Sequence, residues 1–453
     1  TNREMAAVKE FPGPKSAKAL EQMKKYVVCD PWPFVIDPKR CDRLELATID
    51  NQKVLDWGGL YGSLLLSYNH PCTNTPEIRE RLADQSVKRF PNPDFLTLDC
   101  LAYYEMLYDH APIGMRNPKL EVYVINSGAE AVENMMKYMI HLHCEKLAKA
   151  GKTVGEQKFL YFDASYHGRT VFTLNITHLK QDQVSMDEYH GLATQNLRVP
   201  FPAVDNDAPD EVNDAKTDEA IKIIEAIIAK QPDDIVGVII EPMQGAGGNR
   251  VVQKRFMQEL SRVCHEKEIY LGFDEVQTSG GCCGAMFAVD LFDLPYPPSA
   301  VAVAKKWGCG AVFLLETFGD LGLLDSTWGG SLPDMVRVVA EVEYIDKHNL
   351  IASVESKTAH LIGCIKKLQA EFPGMISNIR GLGLYQGWTM PADAKKLLSE
   401  TMMQEQHTFL LSAGPTTIRL RPPIDVTEEE INVLETKLRA GLQSVVKQLA
   451  ASA

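Results

Sequence analysis

The feature that most constrains the fold is a series of short, continuous apolar runs that alternate with helical stretches from about residue 120 onward. The runs occupy residues 122–125, 159–162, 235–240, 269–273 and 300–304. Strands that are apolar on both faces are typical of a mostly parallel sheet that is covered by helices on each side. The chain is therefore predicted to be an α/β protein.

The intervals between these runs show helical periodicity. The stretch 129–150 places apolar side chains on one face, and 219–230 and 256–267 do the same. Near residue 340 the pattern changes to longer helices, predicted at 350–372 and 428–448.

We therefore predict a large domain with a mostly parallel sheet and a smaller α+β domain. The large domain is expected at residues 71–339 and the smaller one at 340–453. Residues 1–70 are expected to form an N-terminal segment that packs with the small domain.

Composition excludes several classes of partner. The chain of 453 residues has 47 Lys and Arg against 60 Asp and Glu, a net charge of −13, which disfavours nucleic acid and anionic membranes. The ten cysteines form no C-x-x-C pair, and no apolar run reaches the length of a membrane span. We expect no metal site, reduced thiols and a cytoplasmic protein.

Candidate catalytic residues stand at strand ends. Asp274 ends one apolar run, and Lys305 and Lys306 follow another. A strand-end Asp can pair with a pyridinium nitrogen, and a strand-end Lys can hold an aldehyde as a Schiff base, as a pyridoxal-phosphate site requires. On spacing alone, a strand-end Asp such as Asp274 is more often a turn former or helix cap, and adjacent lysines are usually solvated.

Two further segments follow strands. Residues 126–130 read Asn-Ser-Gly-Ala-Glu and precede a helix, so they are suited to bind a phosphate, although Ser127 could be a plain helix cap. Residues 165–170 contain an aromatic and an Arg that could stack on a ring and bind a carboxylate, or could form a polar loop.

In combination these motifs resemble the class III, fold-type-I pyridoxal-phosphate aminotransferases over about residues 12 to 440. The motifs that carry the resemblance are Asn-Ser-Gly-Ala-Glu-Ala at 126–131, Tyr-His-Gly-Arg at 166–169, Glu-Pro at 241–242, Asp-Glu-Val-Gln-Thr at 274–278, and Lys306 with Gly310. Within the family the chain looks most like lysine 6-aminotransferases, then 4-aminobutyrate aminotransferases. The likeness to the lysine enzymes is carried by segments 131–134, 325–330, 334–337 and 419–423. The likeness to the 4-aminobutyrate enzymes is carried by segment 280–282.

The resemblance implies an enzyme that moves a terminal amino group from an amino acid such as L-lysine to 2-oxoglutarate, giving a semialdehyde and glutamate. It implies pyridoxal 5′-phosphate as cofactor and a homodimer with shared active sites. Alternative donors are 4-aminobutyrate, ornithine, β-alanine or another β-amino acid. Alternative activities are those of a racemase, epimerase, aminomutase or decarboxylase that uses the same cofactor, and a catalytically inactive binding protein is a further possibility.

The family's residue roles transfer position by position. Lys306 is expected to be the Schiff-base lysine, chosen over Lys305 because the family spacing ends on Gly310. Asp274 is expected to pair with the ring nitrogen. The remaining expected contacts are Ser127, Gly128 and Ala129 for the phosphate, Tyr166 and Gln277 for the ring, Thr327 for the partner's phosphate, and Arg169 and Arg419 for substrate carboxylates.

One position departs from the family. Many members carry a Glu where this chain has Ala246, within Gln-Gly-Ala-Gly-Gly at 244–248. That Glu covers the arginine equivalent to Arg419 while an ω-amine substrate is bound. Ala246 cannot do this, and the identity of the donor therefore stays open.

Three other patterns are not interpreted as sites. Gly381 and Gly383 lack the third glycine of a dinucleotide fingerprint. His141 and His143 face apart on a helix, and the pair at 282–283 is expected to be buried cysteine rather than redox-active.

Overall fold

The computed structural model describes residues 10–26, 31–179, 195–319 and 322–452. These residues form fourteen strands: β1 Glu45–Ala47, β2 Lys53–Asp56, β3 Glu121–Ile125, β4 Lys158–Phe162, β5 Leu197–Val199, β6 Ile235–Ile240, β7 Tyr270–Asp274, β8 Ala300–Val303, β9 Gly310–Leu314, β10 Ser377–Leu382, β11 Tyr385–Thr389, β12 Thr408–Phe409, β13 Leu411–Ala413 and β14 Thr417–Arg419.

The α-helices of the described residues alternate with these strands. They are α1 Pro14–Met23, α2 Gly59–Gly62, α3 Pro76–Ser86, α4 Leu98–Asp109, α5 Gly128–Lys149, α6 Val171–Leu174, α7 Asp210–Lys230, α8 Lys254–Glu266, α9 Leu332–Lys347, α10 Val354–Glu371, α11 Ala392–Gln404 and α12 Glu428–Ser452.

A seven-stranded sheet forms the centre, in the order β3-β9-β8-β7-β6-β4-β5. Neighbours from β8 through β5 are parallel, and β9 is antiparallel to both β8 and β3. All six residues of β6 are buried, because helices cover both faces of the sheet. The predicted α/β, fold-type-I class with a mostly parallel sheet is confirmed.

The helices begin and end near the predicted positions, with one clear exception. α5 begins where Ser127 accepts a hydrogen bond from the Glu130 N–H at 3.3 Å, the expected N-cap interaction. α7 was predicted from residue 219 but begins at Asp210. Its first two turns are rich in charged residues, and apolar periodicity therefore could not reveal them.

Two smaller sheets join distant parts of the chain. One has the order β1-β2-β12, with Leu55 opposite Thr408, so the N-terminal region pairs with the C-terminal region. The other has the order β10-β11-β14-β13. The domain boundaries at 70 and 339 stay a prediction. Gly383 lies in the tight turn between β10 and β11, where its φ is +53°.

Other expectations can be compared with the described residues. Their nine cysteines are all free thiols, and Cys29 lies outside them. No group of side chains suited to a metal ion is found in the described ranges. Nor does any described helix combine the length and the apolar character needed to cross a bilayer.

Candidate active site

A cavity of about 290 Å³ opens at the carboxyl edge of the central sheet. Asp274 enters it from the end of β7, and Lys305 enters from the turn after β8. The N-terminus of α5 and the segment 166–169 form further parts of its wall. Parallel strands direct their carboxyl ends to one edge, which is why residues far apart in sequence meet here.

Asp274 is held in one orientation by two hydrogen bonds. Its Oδ1 accepts from the Val276 N–H at 3.0 Å, and its Oδ2 lies 2.8 Å from Nδ1 of His167. Burial alone would lower the pKa of His167, but the hydrogen bond and charge of Asp274 outweigh it and raise the pKa. The Nε2 atom of His167 is buried and has no hydrogen-bond partner among the described residues. His167 therefore fixes the position of the Asp274 side chain.

A second buried acid borders the cavity. Oε1 of Glu241 accepts a hydrogen bond from the Tyr166 N–H at 2.9 Å, which fixes the backbone that carries the Tyr166 ring. Burial raises the pKa of Glu241 to about 7, although the nearby His167 opposes this. The expected ring-stacking residue is thus anchored by an acid that the sequence offered only as part of a motif.

The start of α5 forms one part of the cavity wall. Ser127 caps the helix, and Ser127, Gly128 and Ala129 all line the cavity. A Cβ on Gly128 would lie 2.9 Å from the Val276 side chain, so only glycine allows this close approach. Free N–H groups and the helix dipole favour an anion at this position.

The two consecutive lysines diverge, and the choice of Lys306 as the Schiff-base lysine stays a prediction. Lys305 lines the cavity, whereas Lys306 is buried behind it and donates from Nζ to the carbonyl oxygen of Gln277 at 2.7 Å. The physical reason is the turn at Lys305–Trp307, in which Lys305 has a φ of +54°. A left-handed residue reverses the direction of the chain, so spacing along the sequence cannot tell which lysine faces inward.

The cavity lowers the pKa of Lys305 to about 7. Burial is the largest cause, the positive charges of Lys306, Arg419 and Arg421 add to it, and Asp274 opposes it. Burial also lowers the pKa of Lys306. At neutral pH a large fraction of Lys305 is therefore an uncharged amine, the form that attacks a carbonyl carbon.

The expected substrate residues occupy different depths. Arg169 is exposed at the cavity, with its guanidinium 5.9 Å from the centre of the Tyr166 ring. Ala246 also lines the cavity. Arg419 does not line the cavity and is only 7% exposed, and its Nη1 has no hydrogen-bond partner among the described residues. Burial and the neighbouring Arg421 lower the pKa of Arg419 to about 9.

Thr327 and Gln277 complete the predicted set. Gln277 lines the cavity, and its Oε1 accepts two hydrogen bonds from Arg421. Thr327 is exposed and does not line the cavity of its own chain.

The sequence profile of the class-III aminotransferases matches residues 30–442. The chain belongs to this family. The L-lysine-epsilon aminotransferase of Amycolatopsis lactamdurans is 27% identical, over 97% of this chain and 99% of that protein. The 4-aminobutyrate aminotransferase of Schizosaccharomyces pombe is 25% identical over 94% of each chain. A structure of lysine aminotransferase from M. tuberculosis in the internal aldimine form has a TM-score of 0.87 at 25% identity, covering 95% of this chain and 99% of that one.

The resemblance inferred from the motifs is therefore confirmed, and the chain is a pyridoxal-phosphate-dependent aminotransferase. The residues of this aminotransferase fit the cofactor that the family uses. A buried carboxyl group, an amine whose pKa is lowered to about 7 and a helix N-terminus meet in one cavity, at separate points of its wall. These are the partners that a ring nitrogen, an aldehyde and a phosphate require.

Sequence reasoning missed the roles of several residues in this aminotransferase. His167 and Glu241 were recognised only as members of motifs, and Arg421 only as a neighbour of Arg419. The signal for His167 was its position beside Tyr166 after a strand. Its contact with Asp274, which is 107 positions away, could not be read from the sequence.

Proposed function

We propose that this aminotransferase moves the terminal amino group of an amino acid such as L-lysine to a 2-oxo acid such as 2-oxoglutarate. The products would be a semialdehyde and glutamate. The observation that carries the proposal is a pair of arginines, Arg169 exposed on the cavity wall and Arg419 buried close enough to Lys305 for its charge to lower the pKa of that lysine. Two separated carboxylate anchors suit a donor and an acceptor that each carry a carboxylate. The whole-length likeness to L-lysine-epsilon aminotransferases supports lysine as the donor.

We propose Lys305 as the lysine that bonds the cofactor and moves the proton. When bound, pyridoxal phosphate supplies an electron sink next to the carbon that carries the amine. Lys305 lies on the cavity, and its pKa near 7 allows its amine to accept and return a proton at neutral pH.

The other residues would position the cofactor and the substrates and would polarise the cofactor ring. Asp274, oriented by His167, would hold a proton on the ring nitrogen through its negative charge. The N–H groups at the start of α5 would bind the phosphate, and Tyr166 would cover one face of the ring. Arg169 would hold the carboxylate of the donor, and Arg419 that of the 2-oxo acid.

A second group of donors has a specific observation in its favour. The 4-aminobutyrate aminotransferase of S. pombe matches over nearly the same share of the chain as the lysine enzymes do. 4-Aminobutyrate, β-alanine and ornithine are therefore the donors to compare with lysine. A racemase or aminomutase needs no 2-oxo acid, so dependence of turnover on a 2-oxo acid separates transamination from these activities.

The experiment is a set of half-reactions on the holoenzyme. Lysine, ornithine, 4-aminobutyrate and β-alanine are each mixed with the enzyme, and the cofactor absorbance is followed as the amine is transferred. Lysine should react with the largest kcat/KM, and 2-oxoglutarate should restore the original spectrum. A 4-aminobutyrate rate constant above that of lysine would replace the proposed donor. Racemised amino acid without any semialdehyde or glutamate would overturn transamination.

We also propose that the enzyme is a homodimer. The described surface exposes several large apolar side chains close together in sequence, among them Phe95, Leu96 and Leu98, which are 62%, 66% and 84% exposed. Such side chains seldom remain in water in a monomer. Thr327 is exposed and available to a second chain. Light scattering should give twice the chain mass, and a monomer that is fully active at nanomolar concentration would contradict the proposal.

A further inference from the structure

Two buried cations lie behind the cavity and are not used by the proposed chemistry. Lys306 and Arg421 are 1% and 0% exposed. Nζ of Lys306 lies 4.8 Å from the centre of the Tyr385 ring, and the guanidinium of Arg421 lies 4.6 Å from it. Burying two positive charges next to one ring is unfavourable unless each has a specific task or partner.

Lys306 and Arg421 both donate hydrogen bonds to Gln277. Lys306 donates to its main-chain carbonyl oxygen at 2.7 Å. Arg421 donates to its side-chain oxygen Oε1 from Nε and from Nη2, each at 3.0 Å. Arg421 is itself fixed, because Nη2 also donates to Oδ1 of Asn249 at 2.7 Å and Nη1 donates to the carbonyl oxygen of Leu420. Gln277 is thus restrained at its backbone and at its side chain.

This arrangement decides which end of the amide faces the cavity. An arginine has only donors, so the amide atom beside Arg421 must be the oxygen. The Nε2 group is then directed away from Arg421. Among the described residues none accepts a hydrogen bond from Nε2, and Gln277 lines the cavity. The residue therefore presents two N–H donors and no acceptor to whatever lies there.

We infer that Arg421, assisted by Lys306, is a positioning residue that makes Gln277 a fixed hydrogen-bond donor to an oxygen anion of the bound ligand. The inference rests on the proposed cofactor site, where the matching group is the deprotonated ring oxygen of the pyridoxal phosphate. A freely rotating amide would spend part of its time with its oxygen toward that anion, which would repel it. Arg421 removes this orientation without touching the ligand itself.

The test measures cofactor affinity rather than turnover. Apoenzyme is titrated with pyridoxamine 5′-phosphate, which carries the ring oxygen but has no aldehyde to bond with a lysine. Four proteins form a cycle: wild type, Gln277→Ala, Arg421→Met and the double variant. Gln277→Ala should weaken binding roughly tenfold or more, as expected for a hydrogen bond to a charged group. Arg421→Met should weaken binding several-fold in wild type but by less than about twofold in the Gln277→Ala background.

A matched control separates positioning from general damage. Arg380 is also a buried arginine of this region, and it donates to the Gly248 carbonyl oxygen and to Thr417 but not to Gln277. Arg380→Met should leave the affinity within about twofold of wild type. Should Arg421→Met not fold, Arg421→Lys keeps the charge but cannot direct two N–H groups at one oxygen, and it should show the same dependence on Gln277.

The outcomes distinguish the inference from the proposed function. An analogue that lacks the ring hydroxyl should bind wild type and Arg421→Met with similar affinity. Equal losses from Arg421→Met with and without Gln277 would overturn the inference while leaving the function intact. Failure of the wild-type apoenzyme to bind pyridoxamine phosphate at all would instead contradict the proposed cofactor site.

Discussion

The turn at Lys305–Trp307 separates two regions that contain similar groups and differ in what they can do. On the cavity side, Lys305 lies near the carboxylate of Asp274. On the interior side, Lys306 contacts a carbonyl oxygen and the ring of Tyr385. Burial lowers the pKa of both lysines. The two lysines therefore differ in their access to the cavity rather than in the direction of their pKa shift.

The backbone explains how the two regions arise from adjacent residues. A lysine with a φ of +54° is uncommon, since its Cβ crowds the following carbonyl group. Such outliers concentrate at functional sites, where the surrounding structure maintains them. The left-handed conformation at Lys305 directs its side chain into the cavity and leaves Lys306 to stabilise the layer behind it.

The largest expected effect separates the two lysines directly. Lys305→Ala should lower kcat by at least about 10⁴-fold, because covalent attachment and proton transfer are both lost. Lys306→Met should retain measurable turnover. Borohydride reduction of the holoenzyme followed by peptide mass spectrometry should find the cofactor on Lys305. Recovery of the label on Lys306 would show that Lys306, and not Lys305, bonds the cofactor.

The second-largest expected effect is the loss of rate when Asp274, the acid on the cavity side, is replaced. Asp274→Asn should lower the rate of the half-reaction by about 10²- to 10³-fold, because a neutral amide cannot hold a proton on the ring nitrogen. His167→Asn should give a smaller loss, about tenfold, since it removes only the support of Asp274. Stopped-flow rates with lysine provide the measurement. A larger loss for His167→Asn than for Asp274→Asn would mean that the roles are wrongly assigned.

The pH at which the amine of Lys305 loses its proton gives a further test of the cavity side. The pKa of Lys305 is lowered to about 7, so its amine becomes uncharged and reactive as pH rises through 7. Labelling of the apoenzyme with an amine-specific reagent should give a midpoint near 7 at Lys305, against about 10.4 for an ordinary lysine. Because Asp274 raises this pKa, Asp274→Asn should move the midpoint to lower pH. A midpoint near 10 would show that the cavity does not destabilise the charged amine.

The smallest expected effect lies at Ala246, which lines the cavity. Nη1 of the buried Arg419 has no hydrogen-bond partner among the described residues. Ala246→Glu should shift the ratio of kcat/KM toward ω-amino donors relative to glutamate by about tenfold, if one charge pair with Arg419 is gained. The measurement compares lysine, 4-aminobutyrate, β-alanine and glutamate in both proteins. Ala246→Gln is the control of similar size without charge. Unchanged ratios would show that position 246 does not influence Arg419.

Much of the framework could be predicted from the sequence because it depends on local patterns. Continuous apolar runs identify strands that are buried on both faces, and β6 matches its prediction from Ile235 to Ile240. The ends of such strands lie at one edge of a parallel sheet, so Asp274 could be placed at a site before any contact was known. Ser127 and Gly128 could be recognised at a helix start for the same local reason.

Only the tertiary structure decided which neighbours those residues have. The pairing of His167 with Asp274, the hold of Arg421 on Gln277 and the burial of Arg419 each join segments that are distant in the chain. Which of the two lysines lines the cavity was also visible only in the fold, in a turn where Lys305 has a positive φ. Sequence periodicity specifies which face of a helix or strand is apolar, but a turn has no period. The direction of its side chains is set by the long-range packing around it.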